Sequence, residues 1–124
     1  MSRPTVENTP REVEAIFRSL PDRFRPERAA EFAGTYHFEI KGADKPAWTV
    51  DIAGGECDVK EGHEGEACCT VRMTEKTFLV VETGERNPVF AFVKGKIKVT
   101  NVGALRRYDR AFYKLYDLPK PGAT

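Results

Sequence analysis

Two histidines and three cysteines are the residues of this 124-residue chain best suited to bond-making or metal binding. His37 stands in the alternating stretch Tyr36-His37-Phe38-Glu39-Ile40, and His63 in the glycine-rich segment EGHEGE. A catalytic histidine needs a nucleophile within hydrogen-bond reach and a third group to orient it. No spacing here supplies that set. Alternation puts His37 on the wet face of a strand, and His63 reads as a turn residue. Cys57, His63, Cys68 and Cys69 are the right ligand types for zinc, but their spacing matches no common finger or ribbon. The adjacent Cys68 and Cys69 also point to opposite faces of a regular strand. Small strand cysteines are expected, with no Cys-x-x-Cys redox pair. The segment GGECDV lacks the lysine of a phosphate loop and the helix start that would present backbone donors. No catalytic residue, metal or cofactor is therefore expected, and an enzyme is not the leading reading.

Charge is unevenly distributed along the chain. Glu56, Asp58, Glu61, Glu64 and Glu66 face only Lys60 in one stretch, whose register does not fit a calcium loop. Between Lys94 and Lys114 the sign reverses: Lys94, Lys96, Lys98, Arg106, Arg107, Arg110 and Lys114 stand against Asp109 alone. A solvated face explains such a run, and so does contact with anionic head groups or a phosphorylated ligand tail. The whole chain is nearly neutral at +1, which argues against a nucleic acid partner. There is no run of 18 apolar residues, and the N-terminus lacks the apolar core of a signal peptide. With an odd number of cysteines in a chain large enough to fold without bridges, a cytoplasmic location is expected.

The elements that must position these residues can be read from periodicity. Thr9, Pro10 and Glu12 form a helix start, and Val13, Ile16, Phe17 and Leu20 give one apolar stripe that Pro21 is expected to end. A short second helix is expected from Pro26 to Phe32, terminated by Gly34. The period then falls to 2. Tyr36, Phe38 and Ile40 form one strand, Trp48, Val50 and Ile52 a second, Cys57 to Lys60 a third, and Cys69, Val71 and Met73 a fourth, each with one wet face. Thr74 caps a helix through Thr83, Asn87 and Pro88 open another short segment, Ile97 and Val99 make a fifth strand, and Leu105, Tyr108, Phe112 and Leu115 a final helix. The expected architecture is α+β: about five strands, mainly antiparallel, with helices covering one face, in a single domain spanning 1–124 with frayed ends at about 1–8 and 118–124.

Two segments carry more apolar residues than surface helices need. Phe78 to Val81 and Val89 to Val93 are apolar on nearly every side, beside Tyr108 and Phe112. They form either a thick core or the walls of an apolar pocket.

The stretch TGERNPVFAFVKGKIKV, Thr83 to Val99, resembles the sterol carrier protein 2 family, whose pattern joins a Gly, Asn/Asp-Pro, an Ala among large apolar residues, and Gly-Lys before an alternating strand. Gly84, Asn87, Pro88, Ala91, Phe92, Gly95, Lys96, Ile97 and Val99 fit it. Trp48-Thr49-Val50-Asp51 and CTVRMTEKTFLVVETG extend the resemblance, which runs from about Val13 to Phe112. Thr100 and Asn101 stand where the family usually has Gly-Asp. The resemblance implies an apolar lipid tunnel between helices and sheet, holding a fatty acid, fatty acyl-CoA, sterol or phospholipid without catalysis. On that basis the expected ligand wall is Trp48, Met73, Phe78, Leu79, Phe90, Phe92, Val93, Leu105 and Phe112. The partners expected beside the ligand are an anionic membrane, met transiently through the basic stretch, and a partner enzyme on which the chain docks as a lipid-presenting or scaffolding subunit.

Overall fold

Alternating side chains commit the middle of the chain to strands, and a computed structural model, which describes residues 12–29, 33–83 and 88–112, gives their arrangement. β1 (Gly34–Lys41), β2 (Ala47–Ala53), β3 (Glu56–Glu61), β4 (Cys69–Thr74) and β5 (Ile97–Val99) form one sheet in the order β3-β2-β1-β4-β5. The pairs β1–β2, β2–β3 and β4–β5 are antiparallel, whereas β1 and β4 run parallel at the centre. Gly54 and Gly55, with φ of 60° and 77°, supply the left-handed two-residue turn that closes the β2–β3 hairpin without splaying it.

Register decides which face is apolar. Phe38 lies opposite Trp48 on one side and Val71 on the other, and Tyr36 lies opposite Val50 and Cys69, so all six side chains fall on the same face. All six are buried. The helices cover this face: α1 (Val13–Arg18), α2 (Leu20–Arg23), α3 (Pro26–Ala29), α4 (Glu75–Glu82), α5 (Pro88–Val93) and α6 (Val102–Arg110).

Phe17 on α1 organises one end of the core. Its ring stacks on Trp48 at 5.0 Å and on Phe78 of α4 at 5.0 Å, and meets Phe38 edge-on at 5.2 Å. At the other end Tyr108 of α6 contacts Tyr36, Phe38 and Phe112. Phe38 thus joins both clusters. Each such aromatic contact contributes about 0.5–1.5 kcal/mol beyond the burial of its area.

Pro21 does not end a helix as its position in the stripe suggests. The break comes earlier, at Ser19, and Pro21 sits in the first turn of α2, where its missing N–H costs nothing. Gly34 opens β1 rather than closing a helix, because Cys68 donates to Thr35 O at 2.9 Å and draws this segment into the sheet. Thr74 caps α4 as expected, accepting from Thr77 N, and Asn101 caps α6 by accepting from Ala104 N. Asn and Asp cap equally well, so the departure at Asn101 leaves the last connection intact. The first helix begins later than its expected start at Thr9 and Pro10: Glu12 is extended and stands at the N-cap of α1, with no side-chain cap bond, so it closes no capping box. Thr9, Pro10, Phe32, Gly84, Asn87 and the tail beyond Phe112 lie outside the described residues.

The outer face of the sheet is not uniformly wet. To pass from β3 to β4 the chain must cross β2 and β1, and residues 62–68 do so over the outer face. Thr49, which alternation assigns to solvent, is 0% exposed beneath them. Its hydroxyl donates to Gly62 O at 2.6 Å and accepts from Glu64 N at 3.0 Å. His63 comes to lie flat on His37, with each Nε2 meeting a backbone carbonyl. Each histidine thus has a structural partner that a reading of isolated positions does not supply.

Candidate functional site

The expected wall residues divide into two groups by packing. Trp48, Phe78 and Phe112 belong to the aromatic clusters and are buried. Met73 and Leu79 are half-buried, on β4 and α4, and Leu105 is half-buried on α6; all three pack against the core, as do Val81 and Val99, which the expected wall did not include. Phe92 and Val93, at the end of α5, are 38% and 74% exposed. The side chain of Phe90 lies outside the described residues.

The half-buried group marks the region bounded by α4, α5, α6 and the β4–β5 edge. α4 packs on β4 and α5, α5 on β5, and α6 on β4. Met73 lies opposite Ile97 and Val99 opposite Val71, so the floor of this region is apolar. The sequence placed Val99 on the fifth strand with Ile97, across Lys98, but left it off the expected wall because a three-residue strand shows too little alternation to weight one residue.

Polar ties fix the edges of the layer. Tyr36 Oη donates to Ala104 O at 2.7 Å, fastening α6 to β1 beneath it. Burial, chiefly, raises the Tyr36 phenol above its ordinary range. Burial likewise holds Tyr108 well above its usual value, with Glu82 adding to the rise and Arg23 opposing it. Arg23 is 2% exposed, a charge within the helix layer. Its Nε donates to Ser19 Oγ at 3.0 Å, its Nη2 to Ile16 O at 3.4 Å, and its Nη1 stands 3.8 Å from Glu82 Oε2. Sequence reading overlooked it although it falls three residues after Leu20, on the apolar stripe itself.

Burial pushes the Cys57 thiol up to about 12 and raises that of Cys69, both away from the thiolate that attack requires. Cys68 is exposed and Cys69 buried, the opposite orientations that strand geometry dictates. No group of three or more metal-ligating side chains occurs among the described residues. No helix among them is long and apolar enough to cross a membrane.

A mixed five-stranded sheet with helices on one face and half-buried apolar residues between the layers defines an α+β domain of the sterol-carrier type. The sequence model of the SCP-2 sterol transfer family matches residues 13–107, and the chain belongs to that family. Human sterol carrier protein 2 is 35% identical over 95 residues, which cover 71% of this chain and 17% of that protein. The chain thus spans under a fifth of the relative's length. Among solved structures, the sterol carrier protein domain 2 of Helicoverpa armigera superposes with a TM-score of 0.55 at 21% identity, over 68% of each chain. The stereoselective inverting sec-alkylsulfatase from Pseudomonas sp. superposes with a TM-score of 0.65 at 16% identity, over 88% of this chain and 16% of that one. These two likenesses are of fold.

Proposed function

We propose that the chain binds and carries an apolar lipid, without catalysis, between the helix layer and the β4–β5 side of the sheet. The observation that carries this reading is the half-burial of Met73, Leu79, Val99 and Leu105 on four different elements, in a member of the SCP-2 family. Half-buried apolar residues occur elsewhere too, at Phe24, Ala43, Cys57 and Val59, so what supports this side is the packing of α4, α5 and α6 on β4 and β5 together with the family membership. The proposed tunnel lies on this side, and Trp48 and Phe78, as members of the Phe17 cluster, belong to the core behind it rather than to its wall.

The ligand class is a fatty acid, fatty acyl-CoA, sterol or phospholipid. Burial of each methylene is worth about 0.8 kcal/mol, so a sixteen-carbon chain gains on the order of 10 kcal/mol before ordering costs. Micromolar binding then requires no specific polar contact. Titration with saturated fatty acids should show affinity rising with chain length until the space is full, and a flat series overturns a buried chain. Solvent extraction and mass spectrometry of the purified protein identify what it retains.

A second reading is a lipid-presenting module docked on an enzyme in the cytoplasm. It is supported by the small share of its relatives that this fold occupies, 17% of human sterol carrier protein 2 and 16% of the sulfatase. Co-purification of a stoichiometric enzyme that needs this chain for turnover of an acyl substrate would favour it.

A further inference from the structure

The strand order sorts the charges of this nearly neutral chain to opposite edges of one sheet. β3 and the residues after it carry Glu56, Asp58, Glu61, Glu64 and Glu66 against Lys60, which is itself engaged by Asp58 at 3.7 Å and Glu64 at 3.2 Å. β5 forms the opposite edge. At about 4.8 Å per strand, the two edges are about 19 Å apart. From Asn87 to Tyr108 there is no carboxylate, while Lys94, Lys96, Lys98, Arg106 and Arg107 are all exposed. The nearest cation on the outer face is Arg72, in register with Lys98 and held by Glu39 at 3.1 Å. Lys45, 3.8 Å from Glu61, also offsets part of the acidic edge, so the contrast lies chiefly in the uncompensated run at the β5 edge, and such a contrast orients a protein in the field of a charged surface.

The basic edge also presents apolar side chains. α5 ends in a glycine cap: Gly95, with φ of 76°, donates to Phe92 O at 3.0 Å, and Lys96 donates to Ala91 O at 2.9 Å. This pair of hydrogen bonds closes the turn. Ala91 is turned into the core, so the helix must turn Val93 outward, where it is 74% exposed, with Phe92 beside it at 38%. Val102, at the first turn of α6 three residues after β5, is a third large apolar residue, 41% exposed. Large apolar tips ringed by lysines match an anionic bilayer surface, where the cations meet head groups and the tips reach the acyl boundary.

We propose that the β5 edge, led by Phe92 and Val93 and ringed by Lys94 and Lys96, is the face that docks on an anionic phospholipid bilayer. This rests on the reading of the chain as a lipid carrier, and it places the half-buried region beside α5 next to the membrane from which a lipid would be drawn.

The test uses the full chain and vesicles of phosphatidylcholine, alone or with about a third phosphatidylserine. Val93→Trp puts a reporter on the proposed tip, since the native Trp48 is fully buried and insensitive to docking; Glu56→Trp puts one on the acidic edge. The expected result is a blue shift of the Val93→Trp emission with the anionic vesicles alone, reversed by salt, and none from Glu56→Trp. The doubly reversed Lys94→Glu/Lys96→Glu chain should bind anionic vesicles at least about tenfold more weakly, since each lysine near such a surface contributes about fivefold. No shift at position 93, an equal shift at position 56, or unchanged vesicle affinity in the reversed chain overturns the proposal. Fatty-acid titration of the same variants reads the pocket separately. Affinity within about twofold of the parent leaves the lipid reading standing whichever way docking falls. Absent fatty-acid binding with oriented docking intact overturns the pocket and supports the docking face.

Discussion

The rings of His37 and His63 lie face to face, 4.5 Å between centroids with their planes 1° apart. His37 Nε2 meets Glu64 O at 3.0 Å and His63 Nε2 meets Phe38 O at 2.9 Å, so each ring donates from that nitrogen to a carbonyl of the opposing segment. The pair clasps the 62–68 crossing to the sheet, together with the Thr49 hydroxyl.

His63→Ala should release that clasp while leaving the helix layer untouched. One hydrogen bond and a ring contact are lost, and the chain should be about 1–2 kcal/mol less stable to urea. Amide exchange should quicken at Gly62 and Glu64, with little change at Val50 or Phe38. Uniform acceleration across the sheet would count against a local clasp.

Tyr36→Phe removes the 2.7 Å bond to Ala104 O and leaves a buried carbonyl unmatched. The cost should be about 1–3 kcal/mol in urea unfolding. Because α6 is the element released, fatty-acid exchange should also become faster than in the parent chain.

Phe17→Ala and Leu79→Asp should separate core from ligand wall. Phe17 touches three rings, and its truncation should cost about 3–5 kcal/mol of stability. Leu79 is only half-buried, so a carboxylate there can reach water in the empty protein yet opposes an acyl chain at the wall. Native circular dichroism with fatty-acid affinity lowered at least tenfold, a loss of about 1.4 kcal/mol, is the expected result for Leu79→Asp. Full affinity in a folded Leu79→Asp chain removes that residue from the wall.

Stability should fall as the solution becomes alkaline. The Cys57 thiol rises from an ordinary 9.0 to about 12 on folding, chiefly through burial, and Tyr36 and Tyr108 move in the same direction. In the unfolded chain these groups lose their protons near pH 9 to 10 while the folded chain keeps them, so the unfolded state binds fewer protons and the free energy of unfolding decreases with pH. The contribution is fully present below pH 9 and is lost between about 9 and 12. Urea midpoints at pH 8 and pH 10.5, with Cys57→Ala showing the smaller decline, check the sign.

The strands and the cap at Thr74 were legible because each depends on local pattern: alternation for the one, a side-chain acceptor before a helix for the other; the cap at Asn101 follows the same rule but was noted only as a departure from the family pattern. Pro21 was misread because proline is equally at home just inside a helix start, and only the turn at Ser19 decides between the two. The histidine pair and the burial of Thr49 were beyond any local reading, since both are created by a crossing that brings residues 63 and 37 together across 26 positions. The candidate wall was legible in its composition but not in its partition. Apolar type alone does not tell Phe78, stacked on Phe17, from Leu79, its half-buried neighbour.

The parallel pairing of β1 with β4 has a kinetic consequence. β1, β2 and β3 are joined by short turns and can zip together from neighbouring contacts, but Tyr36 must find Cys69 and Phe38 must find Val71, each 33 positions away. Loop-closure entropy has to be met before that pairing returns any contact energy, and a central parallel strand is among the slower elements to acquire. β4 also carries β5 on its far side and α4 at its end, so the α4–α5 half of the helix layer has no floor until it arrives. The three-stranded meander should therefore form early with its apolar face bare, and the rate of reaching the native state should be set by the docking of one six-residue strand.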